Sequence, residues 1–152
     1  MTEAQYENLT LLGQSGAPAQ KKLEVFPAPG IDESRPGRAA LITFFAPECT
    51  SMCPITHQPD FWTMKLEYIP DEVCLESKSL KLFLQTFREE GVFCEQLAAD
   101  LKTAFIEVLQ PLWIRVTVTQ APRGGIGLEV VSGWHKGKGE FGGRGSDVWS
   151  NR

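Results

Sequence analysis

Residues 61–69 read Phe-Trp-Thr-Met-Lys-Leu-Glu-Tyr-Ile and alternate between apolar and polar side chains. Successive side chains of a β-strand point to opposite faces of the sheet, so this alternation predicts a strand with one face on a core. The core face carries four large side chains: Trp62, Met64, Leu66 and Tyr68. The apolar run at residues 39–45 predicts a buried strand before it. The irregular stretch at residues 46–60 predicts a loop, and loops often hold functional groups.

Two amphipathic helices are predicted after this strand. Apolar side chains at helical spacing mark the first at Leu80, Phe83, Leu84 and Phe87, and the second at Leu97, Leu101, Ala104, Phe105 and Val108. Ser77 is the predicted N-cap of the first helix and Gly91 its stop. Pro111 ends the second helix, because proline cannot continue one.

Two more strands are predicted at residues 112–119 and 126–131. The turn between them, Ala-Pro-Arg-Gly-Gly at residues 121–125, has hairpin chemistry and carries Arg123 at its tip. The element order is therefore β-β-α-α-β-β. This order predicts an α+β fold in which an antiparallel four-stranded sheet has both helices on one face.

The second face of this sheet also needs a cover. The strands carry large apolar side chains on both faces, at Phe61 and Trp62 and again at Trp113 and Ile114. We therefore expect other subunits to cover the second face, which makes the protein a homo-oligomer.

The composition is that of one folded domain. The 152 residues are 42% hydrophobic, too apolar for a disordered chain, and contain no apolar run long enough to span a membrane. A net charge of −4 speaks against direct nucleic-acid binding. The N-terminus lacks the basic and apolar regions of a signal peptide, so we expect a cytoplasmic protein. We expect a partly flexible arm at residues 1–36, the catalytic domain at residues 37–131 and a Gly-rich tail at residues 132–152.

Four cysteines in a cytoplasmic chain are expected to be thiols, metal ligands or catalytic groups rather than disulfides. The spacing of Cys49, Cys53 and His57 suggests a metal site. Prolines within and around this stretch exclude a helix that would align the three side chains. We therefore predict no metal site.

Cys53 and Asp60 are the candidate catalytic pair. A nucleophilic thiol must become a thiolate, and a second group must handle protons at the attacked atom. A loop cysteine and a carboxylate at the edge of the next strand could meet for this purpose. The alternative is structural: a half-buried thiol and an aspartate that caps backbone amides.

Three further positions suggest ligand contacts. The free backbone N–H groups at the start of the first helix, with Lys78 and Lys81, predict an anion site. Arg123 is either a second anion contact or a surface turn residue. Glu95, as a buried carboxylate, could accept two hydrogen bonds from a guanine-like base, or it could simply favour the helix dipole. Cys94 could equally be a core residue.

Four segments resemble the nitrile reductases of queuosine biosynthesis, the QueF family, in its short single-module form. They are Thr-Ser-Met-Cys-Pro at residues 50–54, Gln-Pro-Asp-Phe at 58–61, Glu-Ser-Lys-Ser-Leu-Lys-Leu-Phe at 76–83 and Pro-Arg-Gly-Gly-Ile at 122–126. They keep the family's order and approximate spacing, and the octet is the family's signature. The resemblance implies a tunnelling fold (T-fold), as in GTP cyclohydrolase I, with active sites at subunit interfaces of a homo-oligomer.

The resemblance also implies an activity and a set of roles. The protein would reduce 7-cyano-7-deazaguanine to 7-aminomethyl-7-deazaguanine with two NADPH, in the biosynthesis of a modified transfer-RNA base. Cys53 would attack the nitrile carbon to form a covalent thioimide, and Asp60 would deliver the proton to nitrogen. The residues expected at the substrate are Leu75, Glu76, Ser77, Cys94 and Glu95. Those expected at the NADPH phosphates are Lys78, Lys81 and Arg123.

The chain departs from the family pattern at three positions. Cys94 stands where the family has a histidine that helps hold the substrate, and His57 stands where glycine is usual. Leu97 stands where some members have a cysteine able to pair with the nucleophile, a role that Cys94 could take. The missing histidine motivates an alternative: a non-reductive relative that acts on a 7-substituted deazaguanine by amidino transfer, hydrolysis or decarboxylation. A non-catalytic deazaguanine-binding module is a third interpretation.

Overall fold

The computed structural model describes residues 19–29 and 40–142. Its strands are β1 (Val25–Pro27), β2 (Ile42–Met52), β3 (Pro59–Ile69), β4 (Val73–Leu75), β5 (Trp113–Arg123), β6 (Ile126–His135) and β7 (Gly139–Gly142). Its α-helices are α1 (Ser77–Gln85), continued by a 3-10 helix (Thr86–Glu89), and α2 (Cys94–Leu109). Five strands form an antiparallel sheet in the order β2-β3-β5-β6-β7, and β1 pairs separately with β4. The predicted α+β class is confirmed.

The core lies between the helices and one face of the larger sheet. The alternation in β3 is as predicted, because Trp62, Met64, Leu66 and Tyr68 are all buried on this face. The neighbouring strand β5 adds Ile114, Val116 and Val118, which stand directly opposite Tyr68, Leu66 and Met64. Side chains of both helices complete the same buried cluster, among them Leu80, Phe83, Leu84, Leu97, Leu101, Phe105 and Leu109. Burial of this apolar surface is the main force that holds the helices on the sheet.

Strand β2 differs from the prediction of a buried strand followed by a long loop. It is an edge strand of the larger sheet, and Phe45 is 67% exposed. A bulge between Ala46 and Cys49 accommodates Pro47, and pairing with β3 then resumes as far as Met52. The expected loop at residues 46–60 therefore shrinks to residues 53–58.

The sheet has five strands rather than the predicted four. Strand β6 runs past residue 131, and a turn with Gly137 and Gly139 at φ of 83° and 84° leads into β7. Residues 132–142, predicted as part of a tail, are therefore mostly strand. Edge pairing supplies backbone hydrogen bonds that need no apolar pattern, which is why the sequence did not signal this strand. The rest of the predicted tail, residues 143–152, lies outside the described residues.

The described part of the N-terminal arm packs against α1. The Gln20 amide donates to the Leu82 carbonyl at 3.3 Å, and the Glu24 amide donates to Ser79 Oγ at 3.0 Å. This part of the arm contains the short strand β1. Residues 1–18 and 30–36 of the predicted arm lie outside the described residues.

Within this described part, neither α-helix combines the length and the apolar character that a membrane span requires.

Candidate active site

Cys53 and Asp60 lie at one end of the larger sheet, on either side of the loop at residues 53–58. Strands β2 and β3 stay paired up to this loop. The Cys53 amide donates to the Gln58 carbonyl at 2.8 Å, and the His57 amide donates to the Cys53 carbonyl at 3.0 Å. The loop is therefore closed by its own backbone. It brings the candidate nucleophile and the candidate proton donor to the same end of the sheet.

The Cys53 thiol is surrounded by hydrogen-bond donors. The hydroxyl of Thr56, the backbone N–H of Thr56 and that of Ile55 lower the pKa of the thiol from 9.0 to about 7, and Arg123 adds a further hydrogen bond. The residue is only 8% exposed. The hydrogen bonds from Thr56 and Ile55 lower the pKa more than burial raises it. A substantial fraction of this thiol is therefore ionised at neutral pH.

The other three cysteines have the opposite character. Burial raises the pKa of Cys49 and of Cys94 to about 11, and it also raises the pKa of Cys74. All four cysteines are free thiols. Cys53 is thus the thiol whose surroundings suit a nucleophile, and its role as the nucleophile stays a prediction.

Asp60 is buried, with 4% of its surface exposed, and it faces Arg123. Arg123 Nη1 approaches Asp60 Oδ1 to 2.6 Å, but Oδ1 accepts no aligned hydrogen bond from the described residues. The approach is an ion pair between the Arg123 guanidinium and the Asp60 carboxylate.

Sequence reasoning missed Thr56 as part of this site. Its hydroxyl is the first-named cause of the lowered pKa of the Cys53 thiol. The next residue, His57, has a φ of 54°, in the left-handed region. Glycine adopts this region most readily, and His57 stands where glycine is usual in the family that the sequence resembles. A glycine at position 57 would have indicated a left-handed turn next to Thr56. A histidine at this position gives no such indication.

The start of α2 is held against the Cys53 loop. The Met52 amide donates to the Glu90 carbonyl at 2.9 Å, and the Val92 amide donates to the Met52 carbonyl at 3.1 Å. A Cβ added at Gly91 would lie 3.2 Å from the Cα of Pro54. Gly91 therefore permits a close backbone approach here, a role beyond the predicted helix stop.

This approach sets the positions of Cys94 and Glu95. Cys94 is buried, and the nearby charges of Glu95 and Asp60 add to burial in raising its pKa, while Arg123 lowers it. Glu95 is exposed in this chain. The prediction of a buried carboxylate is therefore wrong for this chain, because Glu95 lies on the outward face of α2, whereas Cys94 and Leu97 face the core.

The start of α1 differs from the predicted anion site. The N-cap is Glu76 rather than Ser77, and its carboxylate accepts from the Lys78 amide at 2.8 Å and from the Ser79 amide at 2.7 Å. These N–H groups are thus already bound by the chain's own carboxylate and are not free for an external anion. Ser77 is exposed, whereas Glu76 is 4% exposed.

Leu75, expected at the substrate, is buried in the pairing of β4 with β1. Its backbone N–H already donates a hydrogen bond to the hydroxyl oxygen of Tyr68 at 3.0 Å. The side chain therefore faces the core rather than a ligand in this chain.

A groove of about 320 Å³ lies between β2 and α1. Its polar wall includes Ser77, Lys81 and Arg88, and its apolar wall includes Leu80 and Leu84. Neither Lys78 nor Arg123 lines it. The structure therefore places the three predicted cofactor cations apart: Lys81 in the groove, Lys78 half-buried beside it and Arg123 with Cys53 and Asp60.

Among residues 19–29 and 40–142, no three His, Cys, Asp or Glu side chains are close enough together to hold a metal ion. Cys49, Cys53 and His57, weighed above as possible ligands, are not gathered into such a site.

Comparison with known proteins gives a consistent result. The chain is 43% identical over 136 residues to a Granulibacter bethesdensis protein named NADPH-dependent 7-cyano-7-deazaguanine reductase, which covers 87% of this chain and 84% of the relative. Proteins of the same name from Synechococcus sp. (43% identity, 82% of this chain and 71% of the relative) and Rhizobium johnstonii (39%, 91% and 88%) match it similarly.

A solved structure, the apo form of an archaeosine synthase QueF-Like, superimposes with a TM-score of 0.55 at 26% identity. It covers 62% of this chain and 91% of that protein. The likeness supports the predicted T-fold.

The family model described as QueF-like protein matches residues 59–145, which is more than half of the chain. The chain belongs to the QueF-like protein family.

Proposed function

We propose that this protein is an NADPH-dependent nitrile reductase that converts 7-cyano-7-deazaguanine to 7-aminomethyl-7-deazaguanine. One observation carries the proposal: a Cys53 thiol with a pKa of about 7 lies beside a buried Asp60, in a chain about 40% identical to proteins named for this reaction. The nitrile takes up two hydrides and two protons and leaves as a primary amine. The substrate is a free base, so the proposal needs no contact with nucleic acid.

Cys53 and Asp60 divide the first chemical step between them. The Cys53 sulfur forms a bond to the nitrile carbon, and the π-electron pair released by this carbon moves to the nitrogen. Asp60, whose Oδ1 accepts no aligned hydrogen bond among the described residues, passes the thiol proton to that nitrogen. The product is a covalent thioimide, which is easier to reduce than a free nitrile.

The groove between β2 and α1 suits the phosphate-bearing part of NADPH. Lys81 and Arg88 bring two cations to a partly apolar wall, and Ser77 adds a hydroxyl. NADPH supplies the hydride when it is bound. The half-buried Lys78 lies on the first turn of α1, beside the groove, where it would contact a phosphate at the rim.

In this proposal, groups near the N-termini of α1 and α2 recognise the base. A carboxylate offers about four lone pairs, and Glu76 uses two or three of them within its own chain. The exposed Glu95 can accept from an N–H pair of a guanine-like base once another copy covers it. Leu75 and Cys94 then shape the site from within the core.

The site is proposed to lie at an interface of a homo-oligomer. Four exposed apolar side chains occur around this end of the sheet, at Ile55, Phe61, Phe93 and Ile126. Exposed apolar surface of this kind indicates a protein interface. Sedimentation velocity is expected to show an oligomer, and a monomer at micromolar concentration would contradict this part of the proposal. The four free thiols suit a reducing compartment, which supports a cytoplasmic location.

The test is NADPH oxidation, followed by absorbance, with 7-cyano-7-deazaguanine under reducing conditions. We expect two NADPH consumed for each nitrile, and no consumption by Cys53→Ala. Cys74→Ala is the matched control, because Cys74 is a buried thiol outside the site. Mass spectrometry without NADPH is expected to show the thioimide on wild type and on Cys74→Ala but not on Cys53→Ala.

A different outcome would favour the non-reductive alternative. If folded protein forms the adduct but consumes no NADPH, reduction is excluded. Ammonia is the first co-substrate to try in that case, because its addition to the nitrile gives the amidine expected of the non-reductive alternative. Absence of both adduct and turnover would contradict the nucleophile assignment as well.

A further inference from the structure

Arg123 is the last residue of β5, where the chain turns through Gly124 and Gly125 at φ of 58° and 82°. These left-handed positions build a tight hairpin, and Arg123 pairs across it with Ile126. The guanidinium is therefore carried by a rigid turn rather than by a flexible loop. It extends across the sheet edge to Asp60.

The guanidinium contacts both members of the candidate catalytic pair. Its Nη1 lies 2.6 Å from Asp60 Oδ1, and the same guanidinium is among the groups that lower the pKa of the Cys53 thiol, after the donors of Thr56 and Ile55. The Arg123 side chain is 54% exposed, whereas that of Asp60 is 4% exposed. A carboxylate buried to this degree is costly without a counter-charge, and Arg123 supplies one.

We propose that Arg123 belongs to the reaction centre, where it holds the Cys53 sulfur and the Asp60 carboxylate in register and stabilises the anionic sulfur before attack. The inference rests on the proposed function only for the identity of the electrophile. The guanidinium remains protonated throughout, because arginine does not lose its proton in proteins. The thiol proton passes by way of Asp60 to the nitrile nitrogen as the carbon–sulfur bond forms.

A role in binding cofactor phosphate is disfavoured by the same geometry. The groove that suits phosphate is lined by Lys81 and Arg88 and not by Arg123. The two roles also make different predictions, since only a reaction-centre role affects Cys53 when NADPH is absent.

The experiment compares Arg123→Gln and Arg123→Lys with wild type in alkylation by iodoacetamide. The Cys53 peptide is followed by mass spectrometry from pH 5 to pH 9 without substrate or cofactor. We expect Arg123→Gln to shift the midpoint of the rate profile to higher pH and to slow alkylation at pH 7 about threefold or more. Arg123→Lys should fall between, because it keeps the charge but loses the planar fork.

Arg115→Gln is the matched control. Arg115 also joins β5 to a carboxylate of β3, with its Nη2 2.6 Å from Glu67 Oε2, but on the face away from the core. Its loss removes an equivalent ion pair without touching the Cys53 loop. The alkylation profile of this variant should match that of wild type.

A second measurement separates the two roles of Arg123 during turnover. Thioimide formation without NADPH should slow several-fold in Arg123→Gln, while the KM for NADPH in Arg123→Lys stays within about twofold of wild type. An unchanged alkylation profile with a raised KM for NADPH would overturn the inference in favour of phosphate binding. If wild type forms no adduct but the alkylation shift is observed, the proposed substrate is wrong and the role of Arg123 stands.

Arg123→Gln leaves a buried carboxylate without its counter-charge and could unfold. The double variant Asp60→Asn/Arg123→Gln removes this imbalance. It should still alkylate more slowly at pH 7 than Asp60→Asn alone, and equal rates in the two would also overturn the inference.

Discussion

At the scale of single residues, the site depends on how the surroundings give the cysteine thiols of this chain different pKa values. Cys53 lies among N–H and O–H donors near the surface, whereas Cys49 and Cys94 are desolvated in the core. Donors stabilise the thiolate and burial opposes it, so the same side chain has a pKa of about 7 at one position and about 11 at the others.

Thr56 makes the largest contribution to this difference. Thr56→Val removes the hydroxyl donor at nearly constant volume, so the pKa of Cys53 should rise from about 7 towards 9.0. A rise of one unit lowers the thiolate fraction at pH 7 about fivefold. We expect the alkylation rate of Cys53 at pH 7 to fall by this factor. Thr56→Ser, which keeps the hydroxyl, should react as wild type does, and equal slowing in both variants would assign the effect to loop packing.

Asp60→Asn tests the proton-transfer role. The amide is isosteric with the carboxylate but cannot carry the proton, and positioned acid–base groups typically contribute about 10²–10⁴-fold. We expect thioimide formation to slow by a factor in this range, while equilibrium binding of the nitrile, measured by calorimetry on Cys53→Ala backgrounds, changes little. Turnover at the wild-type rate would remove Asp60 from the mechanism.

At the scale of elements, the N-termini of the two helices decide what the site can bind. The Glu76 carboxylate caps the N-terminus of α1, and Gly91 lets the N-terminus of α2 approach the Cys53 loop. Both positions lie outside the helical periodicity, which carries no information about them.

Glu76→Ala should destabilise the protein. It leaves two helix N–H groups without their side-chain acceptor, and loss of an N-cap costs about 1 kcal/mol. Urea denaturation should show this decrease in the free energy of unfolding. Glu76→Gln keeps one acceptor oxygen and should lose less. Equal losses in the two variants would mean that the carboxylate charge, rather than the cap, is what stabilises α1.

Gly91→Ala tests the close approach between α2 and the Cys53 loop. The added Cβ would lie 3.2 Å from a backbone atom of Pro54, so the loop must move by a few tenths of an ångström. We expect alkylation of Cys53 at pH 7 to slow, with a loss of unfolding free energy of only about 1 kcal/mol. Gly127→Ala, whose Cβ would have ordinary contact with Pro122, is the control. Unchanged Cys53 reactivity would show that the loop tolerates the shift.

At the scale of the whole molecule, the larger sheet has one face on the core and one open face. On the open face Glu67 binds Lys65 at 2.8 Å and Arg115 at 2.6 Å. Burial raises the pKa of Glu67, but hydrogen bonds from Lys65 and Arg115 together lower it by more, so the pKa lies below its ordinary value. Exposed Phe45 and Phe61 lie on the same face. A polar network bordered by exposed aromatic side chains fits the proposed homo-oligomer better than a free surface.

The buried thiols predict how the stability of the whole fold depends on pH. The folded pKa of Cys49 and of Cys94 is about 11, above the ordinary value of 9.0. Their stabilising contribution is therefore fully present below pH 9 and is lost as pH rises towards 11. We expect the Tm to fall over this window.

Cys49→Ala should flatten the alkaline decrease in Tm, even though it lowers the Tm at pH 8. Cys53→Ala is the control and should leave the slope unchanged, because the pKa of Cys53 is shifted downward. A slope that is the same in all three proteins would assign the alkaline loss to other groups.

The sequence by itself determined the parts that depend on local pattern. The alternation in β3 predicted which side chains face the core, the apolar spacing predicted both helices, and the paired glycines after Arg123 predicted the hairpin. Four short motifs were enough to identify the family and the candidate nucleophile. These features are encoded by neighbours along the chain, so no knowledge of distant contacts was needed.

Only the tertiary structure decided the rest. The fifth strand, the bulge in β2 and the cap at Glu76 arise from backbone hydrogen bonds, which leave little trace in side-chain pattern. The ion pair of Arg123 with Asp60 joins residues more than sixty positions apart in sequence, and no local pattern shows whether this cation faces a phosphate or a carboxylate. Electrostatic interactions act through space, and the surroundings of the Cys53 thiol were therefore not set until the sheet, the hairpin and the loop had come together.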